Sequence, residues 1–185
     1  GGEPATGRAA PDSLLAAATS AEIAAAWVLA GSPYRVEELT ERLDRLFHSS
    51  VDTAVPVTDL PALFGRLRRR GLRLGIASSD SVAAVTATVE RFGLADLVDF
   101  CAGYDSGHGI KPGPGMLHAF CAATGLDAGA VAVVGDNSHD LHMGRSGGAG
   151  LVVGVLTGTG TRDSLAADAD AVLDSIAGIE ALLDA

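Results

Sequence analysis

Ala130-Val131-Ala132-Val133-Val134-Gly135-Asp136-Asn137-Ser138-His139-Asp140 holds the end of a strand, a turn and the start of a helix. The apolar, β-branched run reads as a fully buried strand. It stops at a glycine, followed by two carboxylates four residues apart. Ligands of open α/β sheets sit outside the carboxyl ends of strands. Asp136 falls at that edge and Asp140 in the first turn of the next helix. Two hard oxygen donors beside a helix N-terminus suit Mg²⁺, which in turn holds a phosphate. Gly-Asp-Asn is also ordinary turn chemistry, so the same residues read as a turn acid and a helix-start acid.

Outward from this stretch, helices and strands alternate from Pro56 onward. Asp59 caps a helix from Leu60 to Arg70, which Gly71 ends. Its Arg68-Arg69-Arg70 run reads as a solvated C-terminus that complements the helix dipole rather than as a nucleic-acid patch. Strands are expected at 73–77, 100–102, 130–134, 151–155 and 171–173, with helices over 81–92 and up to Thr124, and a last helix at the end. This order predicts an α/β fold with a parallel sheet, right-handed crossovers and helices on both faces.

Before Pro56 the sequence reads as helices only. Asp12 or Ser13 caps a segment through Leu14, Leu15, Ile23, Trp27 and Leu29, broken by Gly31-Ser32-Pro33. A second helix, Val36 to His48, puts Leu39, Leu43, Leu46 and Phe47 on one face. The expected division is a helical module over 1–55 and an α/β core over 56–185.

Composition narrows the function. The 185 residues are 48% hydrophobic but only 4% aromatic, so Ala, Val, Leu and Ile must build the core. A formal charge of −10 argues against nucleic acid, because phosphate contacts need a basic surface. No apolar run reaches membrane-spanning length, and no membrane association is expected. The first ten residues show no signal-peptide pattern. The absence of an initiator methionine leads us to expect a processed, tagged or truncated start. Cys101 and Cys121 are too few for a disulfide framework or a zinc site. They fit a reducing cytosol as small apolar fillers, and a cytoplasmic location is expected.

Two further segments carry candidate chemistry. Ser78-Ser79 follows a strand and precedes a helix, where hydroxyls and backbone N–H groups bind phosphate oxygens; an N-cap explains the same residues. Lys111 is the single lysine of the chain and precedes Pro112-Gly113-Pro114. Prolines fix a loop, and a fixed loop suits a cation that meets a phosphoryl group. As a loop cation, Lys111 should matter more for phosphate binding than for stability. His139 and His142 flank Asp140 and read as surface or supporting groups. His108 reads as a loop histidine, and Asn137 as a residue that orients its own turn.

Taken in order, these segments resemble the haloacid dehalogenase superfamily, in particular its phosphoglycolate-phosphatase-like members with a helical cap. The tail Gly154 to Thr161 and the segment Ala169 to Asp174 are similar as well. The resemblance implies a three-layer Rossmann-like core and makes residues 1–55 part of a cap. It implies that Ser78 binds phosphate, that Lys111 neutralises phosphate and nucleophile, and that Asp136 and Asp140 bind Mg²⁺. Ser79 and Asn137 join Ser78 and Lys111 as expected substrate contacts. The implied activity is Mg²⁺-dependent hydrolysis of a small phosphorylated metabolite, a phosphate monoester, through an aspartyl-phosphate. A non-catalytic phosphate-binding or interaction protein, a β-phosphomutase-like enzyme and a dehalogenase are the alternatives. Oligomeric state and substrate identity are not encoded in any pattern found.

One family motif is missing. The family carries Asp-x-Asp at the end of a central first strand, and its first Asp is the nucleophile. The only Asp-x-Asp here, Asp168-Ala169-Asp170, precedes a strand instead of following one. The nucleophile is therefore expected in a segment outside this sequence, with a strand supplied by a partner and a repaired, non-catalytic sheet as the alternatives, and the 185-residue chain by itself is expected to be inactive. Without that strand, the strands ending at Ser78 and Asp136 should lack their common neighbour and expose unpaired edges.

Overall fold

The structure is a computed structural model and describes residues 2–3, 8–10 and 13–184. Its helical part comes first. A two-residue antiparallel ladder pairs β1 (Gly2–Glu3) with β2 (Arg8–Ala9). Helices α1 (Leu14–Ala17), α2 (Ser20–Leu29) and α3 (Val36–Ser50) follow. The sequence predicted one segment where α1 and α2 stand. Thr19 divides them: its hydroxyl accepts from Glu22 N–H while the Glu22 carboxylate accepts from Thr19 N–H, a reciprocal cap that starts a new helix. Of the two residues named as caps for the first segment, Ser13 precedes α1 with no side-chain cap bond and Asp12 lies outside the described residues.

Ile23 and Ala24 of α2 pack against Leu39 and Leu43 of α3 in a small core of their own. Leu46, expected on that face, is 61% exposed and stands outside the packed cluster, which Phe47 joins. Three polar links tie this module to the rest. Tyr104 Oη donates to Asp44 Oδ2 at 2.8 Å. Ser79 Oγ donates to Ala17 O at 3.0 Å. The Arg91 guanidinium donates to the carbonyls of Asp52 and Ala54.

The α/β part runs α4 (Leu60–Arg69), β3 (Gly75–Ala77), α5 (Val82–Arg91), β4 (Phe100–Ala102), α6 (Gly115–Thr124), β5 (Ala132–Gly135), α7 (Ser138–Gly147), β6 (Leu151–Val155), α8 (Arg162–Ala166), β7 (Ala171–Leu173) and α9 (Ile179–Leu183). Asp59 caps α4 as expected, its carboxylate accepting from Ala62 N–H. The arginines at the end of α4 are paired: Arg66 with Glu180, Arg68 with Asp99 and Arg70 with Asp184. Cys101 and Cys121 are free thiols. Burial pushes both above the usual thiol range, which suits fillers rather than nucleophiles.

All pairing in this part is parallel, but it forms two sheets: β3 with β4, and β5 with β6 and β7. The alternation of elements predicted one sheet, and the absent first strand predicted unpaired edges on the strands ending at Ser78 and Asp136. The reason lies between β3 and β5. Leu74 O accepts from Asp99 N–H and Ser78 N–H donates to Ala102 O, so even-numbered residues face β4. Alternation then turns Gly75 and Ala77 to the opposite edge. Val131 O accepts from Leu151 N–H, so Ala132 and Val134 likewise face away from β6. Among the described residues no strand pairs with either edge. A cavity of about 430 Å³ separates them, lined by Gly75, Ile76, Ala77, Phe120, Ala132, Val133 and Val134 among others. The 130–134 run is accordingly not a fully buried strand: Val133 is buried, whereas Ala132 opens onto this space and is exposed.

Candidate active site

Lys111 joins the two sheets at one end. Its Nζ donates to Asp140 Oδ1 at 2.6 Å and to Ala77 O at 3.4 Å. Ala77 ends β3, and Asp140 lies in the first turn of the helix that follows β5. Both strands therefore bring their carboxyl ends to one lysine. Lys111 is 8% exposed and Asp140 7%. The loop lysine expected from sequence is half of a buried ion pair, so its loss is expected to cost stability as well as any phosphate contact. An ammonium and a carboxylate away from water depend on each other, and removing one leaves the other uncompensated.

Asp140 is built into the turn that precedes it. Its Oδ2 accepts from Asp136 N–H at 3.2 Å and from Asn137 N–H at 3.3 Å. Asn137 Oδ1 accepts from Asp140 N–H in return, which completes a reciprocal cap on α7. Gly135 makes the fold-back possible: a Cβ there would lie 2.0 Å from Asp140 Cβ. Asn137 thus orients its own turn, as expected. Asp136 sits at the strand end with Oδ2 accepting from Thr159 N–H at 3.0 Å.

The serines are placed less uniformly. Ser78 directly follows Ala77, the Lys111 contact. Its Oγ accepts from Asp80 N–H and donates to Asp80 Oδ2, both at 3.1 Å. Ser79 turns instead to the helical module through Ala17 O. Ser81, not Ser79 or Asp80, caps α5. The structure therefore brings Ser78, Lys111, Asp136, Asn137 and Asp140 to one edge and directs the Ser79 side chain elsewhere.

The histidines stand apart. His142 pairs with Asp168 at 2.9 Å, and the His139 Nδ1 atom is buried without a hydrogen-bond partner among the described residues. Asp170, in the one Asp-x-Asp, is bound by the Arg145 guanidinium and by Val152 N–H, which together hold its carboxyl below the usual range. It anchors the start of β7 and lies outside the cluster. Sequence reasoning missed Thr159, whose N–H binds Asp136. Its glycine-flanked segment was noticed only as part of the tail.

The donor set admits Mg²⁺ in a limited way. No group of three or more His, Cys, Asp and Glu side chains gathers among the described residues. Mg²⁺ is commonly held by one or two carboxylates, with waters and phosphate oxygens filling the rest. Asp136 fits that pattern, since one of its oxygens has no bond to Thr159. Asp140 has both oxygens engaged, with lone-pair capacity left on Oδ1.

Comparison with known proteins bears on the family and the fold. Residues 9–148 match the family model described as haloacid dehalogenase-like hydrolase. The chain is 30% identical over 149 residues to a probable phosphatase IndB of Dickeya dadantii, covering 78% of this chain and 64% of that protein. It is 34% identical over 92 residues to a phosphoglycolate phosphatase of Rhodospirillum rubrum, covering 50% of this chain and 38% of the relative. The chain thus spans less than two thirds of either relative. CbbY of Rhodobacter sphaeroides, solved in complex with phosphate, shares the fold with a TM-score of 0.79 at 20% identity, over 93% of this chain and 80% of that one.

Proposed function

The chain belongs to the haloacid dehalogenase-like hydrolases, and on that premise we propose that it forms the core and part of the cap of a Mg²⁺-dependent phosphatase acting on a small phosphate monoester. Residues 56–185 are the core and 1–55 the cap portion. The observation that carries this reading is the Lys111 bridge from Ala77 O to Asp140 Oδ1. It gathers a hydroxyl, a cation and two carboxylates where two strands end.

In this reading Ser78 Oγ and neighbouring backbone N–H groups receive a phosphate oxygen. Lys111 offsets the charge that accumulates on the phosphoryl group, with Asp140 and the α7 turn fixing its position. Asn137 and Ser79 would join these contacts, Asn137 from the turn it caps and Ser79 beside its link to Ala17 O. Asp136 would hold Mg²⁺ directly and Asp140 would support it; the ion would supply charge neutralisation at phosphorus.

In this reading the carboxylates of the cluster serve Lys111 and the metal rather than attack. We place the nucleophile in a strand outside this sequence. There an Asp forms a bond to phosphorus as the P–O bond to the alcohol breaks, the alcohol takes a proton, and water then releases phosphate. The cytoplasm is the expected setting.

Mg²⁺ titration by calorimetry tests the binding half of this reading. Asp136→Asn should weaken Mg²⁺ affinity about tenfold or more, since it removes the charge from the direct ligand. Unchanged affinity in the folded variant would remove Asp136 from the site.

A further inference from the structure

The segment after β6 returns over Asp136 and touches it at three points. Thr159 N–H donates to Asp136 Oδ2 at 3.0 Å. Gly160 N–H donates to the Asp136 main-chain carbonyl at 2.9 Å. Gly158 lies against the carboxylate itself: a Cβ there would sit 1.8 Å from Oδ2 and 2.2 Å from Cγ. A Cβ on Gly160 would lie 2.4 Å from the Asp136 carbonyl oxygen. Neither glycine has a positive φ, so the backbone conformation does not call for glycine. Contact with Asp136 does at Gly158, and contact with Asp136 and Leu165 does at Gly160.

We propose that residues 157–160 form a backbone clamp that fixes the Asp136 carboxylate, with Gly158 and Gly160 as positioning residues. The clamp binds the carboxylate through Oδ2 and the residue's own carbonyl through Gly160 N–H. The working donor is the Thr159 amide. Its hydroxyl is buried and makes no hydrogen bond among the described residues. The consequence for a metal rests on the function proposed above; the clamp itself does not.

Amide hydrogen exchange tests the clamp without altering the loop. In Asp136→Ala, Thr159 N–H should exchange at least about tenfold faster than in the wild-type chain. Gly160 N–H, bonded to a main-chain carbonyl that the substitution keeps, should not change. Equal Thr159 exchange in both proteins would overturn the clamp. Mg²⁺ titration then reads the positioning. Gly158→Ala should weaken Mg²⁺ binding about tenfold, and Thr159→Val, which keeps the amide, should stay within about twofold. A folded Gly158→Ala protein that binds Mg²⁺ like the wild type would overturn the positioning role. If Gly158→Ala fails to fold, Gly160→Ala is titrated in its place and read by the same criterion. A wild-type chain that takes up no Mg²⁺ would defeat the metal reading of Asp136, while the exchange comparison would still decide the clamp.

Discussion

At the scale of single residues, Lys111 has two roles that pull on the same atom. In the function proposed above its ammonium would be the cation offered to a phosphoryl group, and it is also the partner that makes a buried Asp140 tolerable. Lys111→Met should therefore destabilise the chain by about 3–5 kcal/mol, because Asp140 is left charged and unpaired. In an Asp140→Asn background the same substitution should cost clearly less, and urea unfolding of the four proteins measures that difference. Equal costs in both backgrounds would make the pair irrelevant to stability. The candidate site was legible in sequence wherever chemistry is local. Gly135, Asp136 and Asp140 announce a strand end and a capped helix within six residues. The Lys111–Asp140 pair was not legible, since its partners lie 29 residues apart and only the fold brings them together. Ser79 misled because a strand-end hydroxyl and a link to the helical module look alike until Ala17 O is placed.

At the scale of elements, Asp99 sets where β3 begins. Its carboxylate accepts from Leu74 N–H at 2.8 Å and from Arg73 at 2.9 Å, and it pairs with Arg68 at the end of α4. Burial pushes its pKa up, but Leu74 N–H, Arg73 and Arg68 outweigh this and hold it below the usual carboxylate value of 3.8. A carboxyl whose pKa is depressed by folding contributes stability above its unfolded pKa and loses it as pH falls through the folded value. Stability should thus decline below about pH 4, and Asp99→Asn should flatten that decline. Thermal melts between neutral and acid pH would show it, and an unchanged slope would remove Asp99 from the account. Thr19→Ala should cost about 1 kcal/mol by removing the cap that starts α2, as urea unfolding would register. Most elements were readable from periodicity and turn residues. The break at Thr19 was readable in principle, since Thr19-x-x-Glu22 is a capping pattern. The exposure of Leu46 was not, because a helix's apolar stripe does not say which of its residues a neighbour covers.

At the scale of the whole molecule, the gap between β3 and β5 is the feature on which the proposed function turns. Two strand edges face a cavity of about 430 Å³ with no strand between them among the described residues. Unpaired edge amides exchange readily, so Gly75, Ala77 and Val134 N–H should exchange faster than Ile76 and Val133 N–H, alternating along each strand. Uniform protection along β3 and β5 would mean that the edges are covered. The sequence anticipated this gap only through the family resemblance, because no local pattern reports a missing neighbour. The same gap opens beside Lys111, so one inserted strand ending in Asp-x-Asp would complete the sheet and present a carboxylate to the phosphate. The most direct measurement compares the 185-residue chain with the same chain carrying such an upstream strand, each assayed for Mg²⁺-dependent hydrolysis of an aryl phosphate and for thermal unfolding. The account predicts no turnover from the 185-residue chain, and turnover together with a higher melting temperature from the extended one. Robust hydrolysis by the 185-residue chain, abolished by changing one of its own aspartates, would contradict it.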